Sequence, residues 1–180
     1  MKFCNGREAA MNRSENRILA IVDLENACGG SVNVPLYQAD VRAAVELVSC
    51  GAPPLVVFST GPQALALAPT LLWEWSAARF VLGRGINGAD NALIDVLRSE
   101  PLARRSSRVL LVSGDHAFAT PVAELRDRGI PTTVLCTPRS LSRELQTVAD
   151  RVSWLPDYSQ SNCNAINADR DKPSHLKETR

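Results

Sequence analysis

The feature that most restricts the fold of this chain is the alternation of short apolar runs with stretches of helical periodicity. "RILAIVD" (17–23), "LVVFS" (55–59), "ARFVLG" (78–83), "RVLLVS" (108–113), "TTVLC" (132–136) and the weaker "RVSWL" (151–155) are rich in Val, Ile and Leu and end at Gly, Pro or charged residues. Such runs read as strands. Several are apolar throughout rather than alternating, as expected when helices cover both faces of a parallel sheet. Between them, "LYQADVRAAVELVSCG" (36–51), "NGADNALIDVLRSEP" (87–101), "TPVAELRDRG" (120–129) and "SLSRELQTVAD" (140–150) place apolar residues at helical spacing. Gly51 and Gly129 are the expected stops of the first and third of these helices, and Thr120–Pro121 the start of the third. The pattern predicts an α/β sandwich around a mostly parallel sheet of five to six strands.

The organisation is that of one domain. The predicted elements span 17–156, while residues 1–16 and 157–180 are polar and are expected to be disordered extensions. The opening stretch "MKFCNGREAAMNRSEN" has no apolar core, so no signal peptide is expected. No apolar run reaches the roughly 20 residues of a membrane span. Five scattered cysteines without C-x-x-C spacing suggest neither a zinc site nor a disulfide framework, and point to a reducing, cytoplasmic setting. With a net charge of +1, no bulk field draws the chain to nucleic acid, so any phosphate binding must come from local arginines or from metal ions.

In parallel α/β sheets, functional groups gather beyond the carboxyl ends of the strands. There the sequence places "DLENA" with Asp23, Glu25 and Asn26, then "GRGINGAD" with Asp90, then "SGDHAF" with Asp115. Three aspartates from distant segments repel one another unless cations or hydrogen bonds offset them. Each also has a local explanation. Asp23 suits an Asx-turn, and Asp90 sits at N3 of a helix capped by Asn87, where a carboxylate favours the macrodipole. For Asp115 the local reading is weakest. As N-cap it would put Pro121 inside the helix, at about 3 kcal/mol, whereas a helix starting at Thr120 leaves Asp115 with no capping duty. Asp95, five residues after Asp90, is near the opposite side of the helix and is a candidate outer ligand or a surface acid. His116 is expected to have a surface or turn role. Trp73 and Trp75 are expected to pack rather than to stack on bases. Glycine loops with nucleotide-binding spacing are absent. A phosphatase using Asp23 as nucleophile is disfavoured, because Glu25 stands at the third position of a D-x-D motif and no suitable lysine is evident.

"IVDLENA", "NGADNALIDVL" and "LLVSGDHAFATPVAELRDRGIPTTVL" together resemble, in order and spacing, the signature segments of the NYN domain, a member of the PIN-like nucleases. The resemblance covers roughly residues 17–136 and implies a Rossmann-like three-layer sandwich. It also implies an acidic pocket that binds Mg2+ or Mn2+ and metal-dependent cleavage of RNA. Position by position it assigns Asp23, Asp90 and Asp115 as catalytic and metal-binding acids, with Asn26 and Ser113 in support and Asp95 as a further candidate. Arg84, in the loop before Asp90, is the expected contact to the RNA backbone. Many relatives carry another aspartate at the position of Ala117. That departure leaves room for an inactive module that binds RNA or a protein partner, and the chain could also associate with itself.

Overall fold

The computed structural model describes residues 17–30, 32–49, 53–70, 75, 78–99, 101 and 106–156. The extensions 1–16 and 157–180 lie outside these residues, as do Gly51 and Trp73. Six strands form a single sheet in which every pairing is parallel. They are β1 (Ile18–Asp23), β2 (Leu55–Ser59), β3 (Arg79–Phe80), β4 (Arg108–Val112), β5 (Thr132–Cys136) and β6 (Arg151–Trp154). The helices are α1 (Leu24–Ala27), α2 (Pro35–Val48), α3 (Gly88–Ser99), α4 (Ala119–Asp127) and α5 (Arg143–Val148). The sheet order is β3-β2-β1-β4-β5-β6, so the strand order reverses between β1 and β4. This is the doubly wound order in which ligands bind at the switch point.

The four central strands, β1, β2, β4 and β5, are largely buried because helices cover both faces, whereas the edge strands β3 and β6 are partly exposed. Ile18, Ala20 and Val22 of β1 face α2 and join Tyr37, Val41 and Val45 in one core. Leu19 and Ile21 face the other way, against Leu93 and Leu97 of α3, Val122 and Leu125 of α4 and Leu145 of α5. Alternate residues of a strand point to opposite faces, so one short run feeds two cores. Trp75 is buried with its ring edge-on to Phe58, centroids 6.1 Å apart, which is the packing role expected of it.

Helix ends follow local chemistry. Gly129, at φ 71°, ends α4 in the left-handed conformation, with the Ile130 N–H on the Leu125 carbonyl at 3.0 Å. The start of α4 departs from the sequence reading. A 3-10 turn at His116–Phe118 precedes it, and the helix opens at Ala119 rather than Thr120. Pro121 then falls in the first helical turn, where the missing N–H costs nothing. Asp115 caps the 3-10 turn, accepting the Ala117 N–H at 2.8 Å. The expectation that Asp115 lacks a capping duty is therefore corrected. A separate short turn removes the conflict with Pro121 on which that expectation rested.

Candidate functional site

β1 and β4 are neighbours at the switch point, and their carboxyl ends deliver Asp23 and the Ser113–Asp115 turn side by side. Asp23 is 4% exposed. Its Oδ1 accepts the Asn26 N–H at 3.2 Å, which caps α1, and its Oδ2 accepts the Ser113 hydroxyl at 3.0 Å. The Ser113 oxygen in turn accepts the Asp115 N–H at 3.2 Å. Asn26 reaches across the switch point, its Oδ1 accepting the Gly114 N–H at 2.8 Å. One short network thus ties the loop after β1 to the loop after β4.

Two close backbone approaches hold the surrounding loops. A Cβ on Gly114 would run into the backbone carbonyl of Ser140, and the Gly114 carbonyl accepts the Ser142 N–H at 2.9 Å. Only glycine lets the loop after β4 lie this close to the loop after β5. In "GRGING" (83–88), Gly83 and Gly88 lie backbone against backbone, pinching off residues 84–87. That pinch sets where α3 begins and puts Asp90 in its first turn.

The electrostatics record the convergence. Burial raises the Asp23 carboxyl to about 7, opposed by the Asn26 N–H and the Ser113 hydroxyl and reinforced by the charges of Asp90 and Asp115. Asp90 is raised first by desolvation, then by Asp115 and Glu25, with His116 acting in the opposite direction. No arginine is among the groups acting on either acid. His116 is exposed, as expected, with Nδ1 3.0 Å from Asp115 Oδ1. The cysteine beside the cluster is inert: burial, helped by the Asp23 charge, pushes the Cys28 thiol up to about 12.

The structure therefore brings Asp23, Asn26, Asp90, Ser113 and Asp115 to one edge, and adds Glu25, whose carboxylate lies against Gly61 at the end of β2. Asp95 is not brought there. It is exposed, and its charge acts on Arg98, so it corresponds to the surface-acid reading rather than to an outer ligand. Arg84 is exposed in the pinched loop ahead of Asp90. Glu25 is one of the two acids in "DLENA", and its nearness to Asp90 depends on strand order, which the segment alone does not show.

Hard oxygen donors that meet at one edge fit a divalent cation such as Mg2+ or Mn2+. They are not closed around a point: among the described residues, no three His, Cys, Asp or Glu side chains are arranged to hold an ion together.

Fold and edge define the class of protein: a doubly wound, all-parallel α/β domain with a cluster of carboxylates at its switch point. The NYN domain family model matches residues 77–156, from just before β3 to just after β6, and includes Asp90, Ser113 and Asp115. Asp23 and Asn26 lie outside that stretch, and it is the β1–β4 pairing that joins them to it. The crystal structure of a protein of unknown function from Vibrio parahaemolyticus RIMD 2210633 is similar at a TM-score of 0.52 and 20% identity. The alignment covers 80% of this chain and 95% of that one, and the likeness is one of fold alone. Among curated proteins no match is found. Among the described residues, no helix is long and apolar enough to cross a membrane.

Proposed function

We propose that the carboxyl edge is the active site of a metal-dependent ribonuclease that hydrolyses RNA phosphodiester bonds. The observation that carries this reading is the meeting of Asp23, Asp90 and Asp115 at the switch point, where burial first and the neighbouring carboxylates second raise the Asp23 carboxyl to about 7. Asp23, Asp90 and Asp115 would hold Mg2+ or Mn2+, and Mg2+ retains several waters, so the three need not enclose it completely. The bound ion would supply a water of lowered pKa and neutralise charge on the phosphoryl oxygens. The chain's own groups fix the geometry. Asn26 and Ser113 hold the two oxygens of Asp23, and the Ala117 N–H holds Asp115. Arg84, exposed on the loop that leads to Asp90, would contact the RNA backbone.

The test is cleavage of a labelled single-stranded RNA in Mn2+ or Mg2+. Asp115→Asn should lower the rate by about a hundredfold or more. A wild-type protein that leaves RNA intact at every metal concentration would refute the reading.

A second reading is favoured by Ala117 and by the absence of a closed three-ligand group among the described residues. It is a module of the same fold that retains RNA, or binds a protein partner or a second copy, without cutting. In that case RNA is retained on the protein, cleavage is absent, and Mn2+ leaves the melting temperature unchanged.

A further inference from the structure

The opposite, amino end of the sheet carries a different feature. The helices that follow β3, β4 and β5 all pack on one face. On the other face, strands β1, β4, β5 and β6 and the end of α2 border a hollow of about 220 Å3. Its floor is apolar, from Ile18, Val48 and Leu110, and Leu47, 80% exposed, forms a lip. Its polar groups are Arg108, Arg151, Thr133 and Ser153, and no acidic side chain lines it among the described residues.

Strand register explains why the two arginines share this hollow. Ile18 pairs with Arg108, Leu110 with Thr133, and Thr133 with Arg151. Partners in register face the same side, so Arg108 and Arg151 stand on one face with β5 between them, roughly 10–12 Å apart at Cα. Guanidinium groups on side chains of that length can converge over the floor. Arg108 Nε is buried without a hydrogen-bond partner, and so is the nearby Ser106 hydroxyl. A buried charged donor without an acceptor is costly, and native interiors rarely leave one so.

We propose that this hollow binds a small organic anion, a carboxylate or phosphate group on an apolar body. The anionic group lies between Arg108 and Arg151 with the Thr133 and Ser153 hydroxyls beside it, and the apolar body covers Ile18, Val48 and Leu110. The volume falls below the roughly 300–1,000 Å3 of pockets for drug-sized ligands, so the occupant is metabolite-sized. This site is independent of the acidic edge and of the nuclease reading.

The experiment titrates the full chain with octanoate, octyl phosphate and octanol by calorimetry, with amide chemical shifts of Leu110, Thr133 and Ser153 as the map. Octanoate or octyl phosphate should bind saturably and octanol should not, and the preference between the two anions identifies the headgroup. Arg108→Met and Arg151→Met should each weaken binding by about tenfold or more, while Arg126→Met, a charge removed from the exposed side of α4, should leave it unchanged. Should Arg108→Met fail to fold, the exposed Arg151 variant decides. Octanol binding as tightly as the anions, wild-type affinity in Arg151→Met, or no binding of either anion at millimolar concentration would overturn the proposal.

Discussion

The two ends of one sheet carry opposite chemistry. At the carboxyl ends of β1 and β4, Asp23 and Asp90 are raised by burial and by neighbouring acids, with no arginine acting on them. At the amino ends, Arg108 and Arg151 line a hollow that holds no acid among the described residues. Asp150, close by in the chain, accepts the Thr132 N–H at 2.7 Å instead. A net charge of +1 conceals this polarity, because it sums two local excesses that a sheet about 17–20 Å long keeps apart. Bulk charge is therefore a poor guide to the local chemistry of this molecule, and strand order a good one.

The comparison can be broken first at Asp23. Its folded pKa of about 7 stands above its ordinary 3.8, so the folded state holds the proton more tightly than the unfolded chain. The associated stability is complete below about pH 4 and is lost as pH rises through 7. Asp90 is raised in the same direction. Asp23→Asn should therefore gain up to about 4 kcal/mol over the wild type at pH 8 and almost nothing at pH 4. Denaturant unfolding at the two pH values measures it, and an equal effect at both would mean that the acidic edge is not strained.

Next in size is Gly114→Ala, which forces a methyl group into the Ser140 carbonyl and loosens the loop that Asn26 holds. Chemical denaturation should report a loss of about 2–3 kcal/mol. A smaller effect of the opposite sign is expected at the amino end. Arg108→Met removes a buried donor that lacks an acceptor and should stabilise the ligand-free chain by about 1 kcal/mol. A destabilised Arg108→Met would show that the guanidinium is satisfied. Smallest of all, Arg98→Ala breaks the Arg98–Glu124 pair, both of whose side chains are more than 40% exposed, and should leave the melting temperature unchanged.

What could be read from the sequence divides along the same physical line. β2 and β5 were legible to the residue, and the other strands within a few, because burial on both faces demands unbroken apolar runs. Asp23 was conspicuous as a carboxylate closing an apolar run, and Asp90 and Asp115 stood out in the short loop-to-helix stretches that follow β3 and β4. Asp115 was placed well but understood incompletely, since its cap on a 3-10 turn depends on three residues of local geometry that no periodicity announces. The nearness of Glu25 to Asp90 and the joining of Arg108 with Arg151 were not legible at all. Both depend on which strands lie side by side, a relation between segments far apart in the chain.

The contact between Gly83 and Gly88 has a consequence for how this protein could change. The loop between them projects from the rim and is tied to the helix through Asn87, whose carbonyl accepts the Asn91 N–H at 3.0 Å. Rewriting the exposed residues Arg84 and Ile86 should alter what meets the rim of the acidic edge while leaving the acids where they are. A lineage, or an engineer, could vary the rim there without moving the acids beneath.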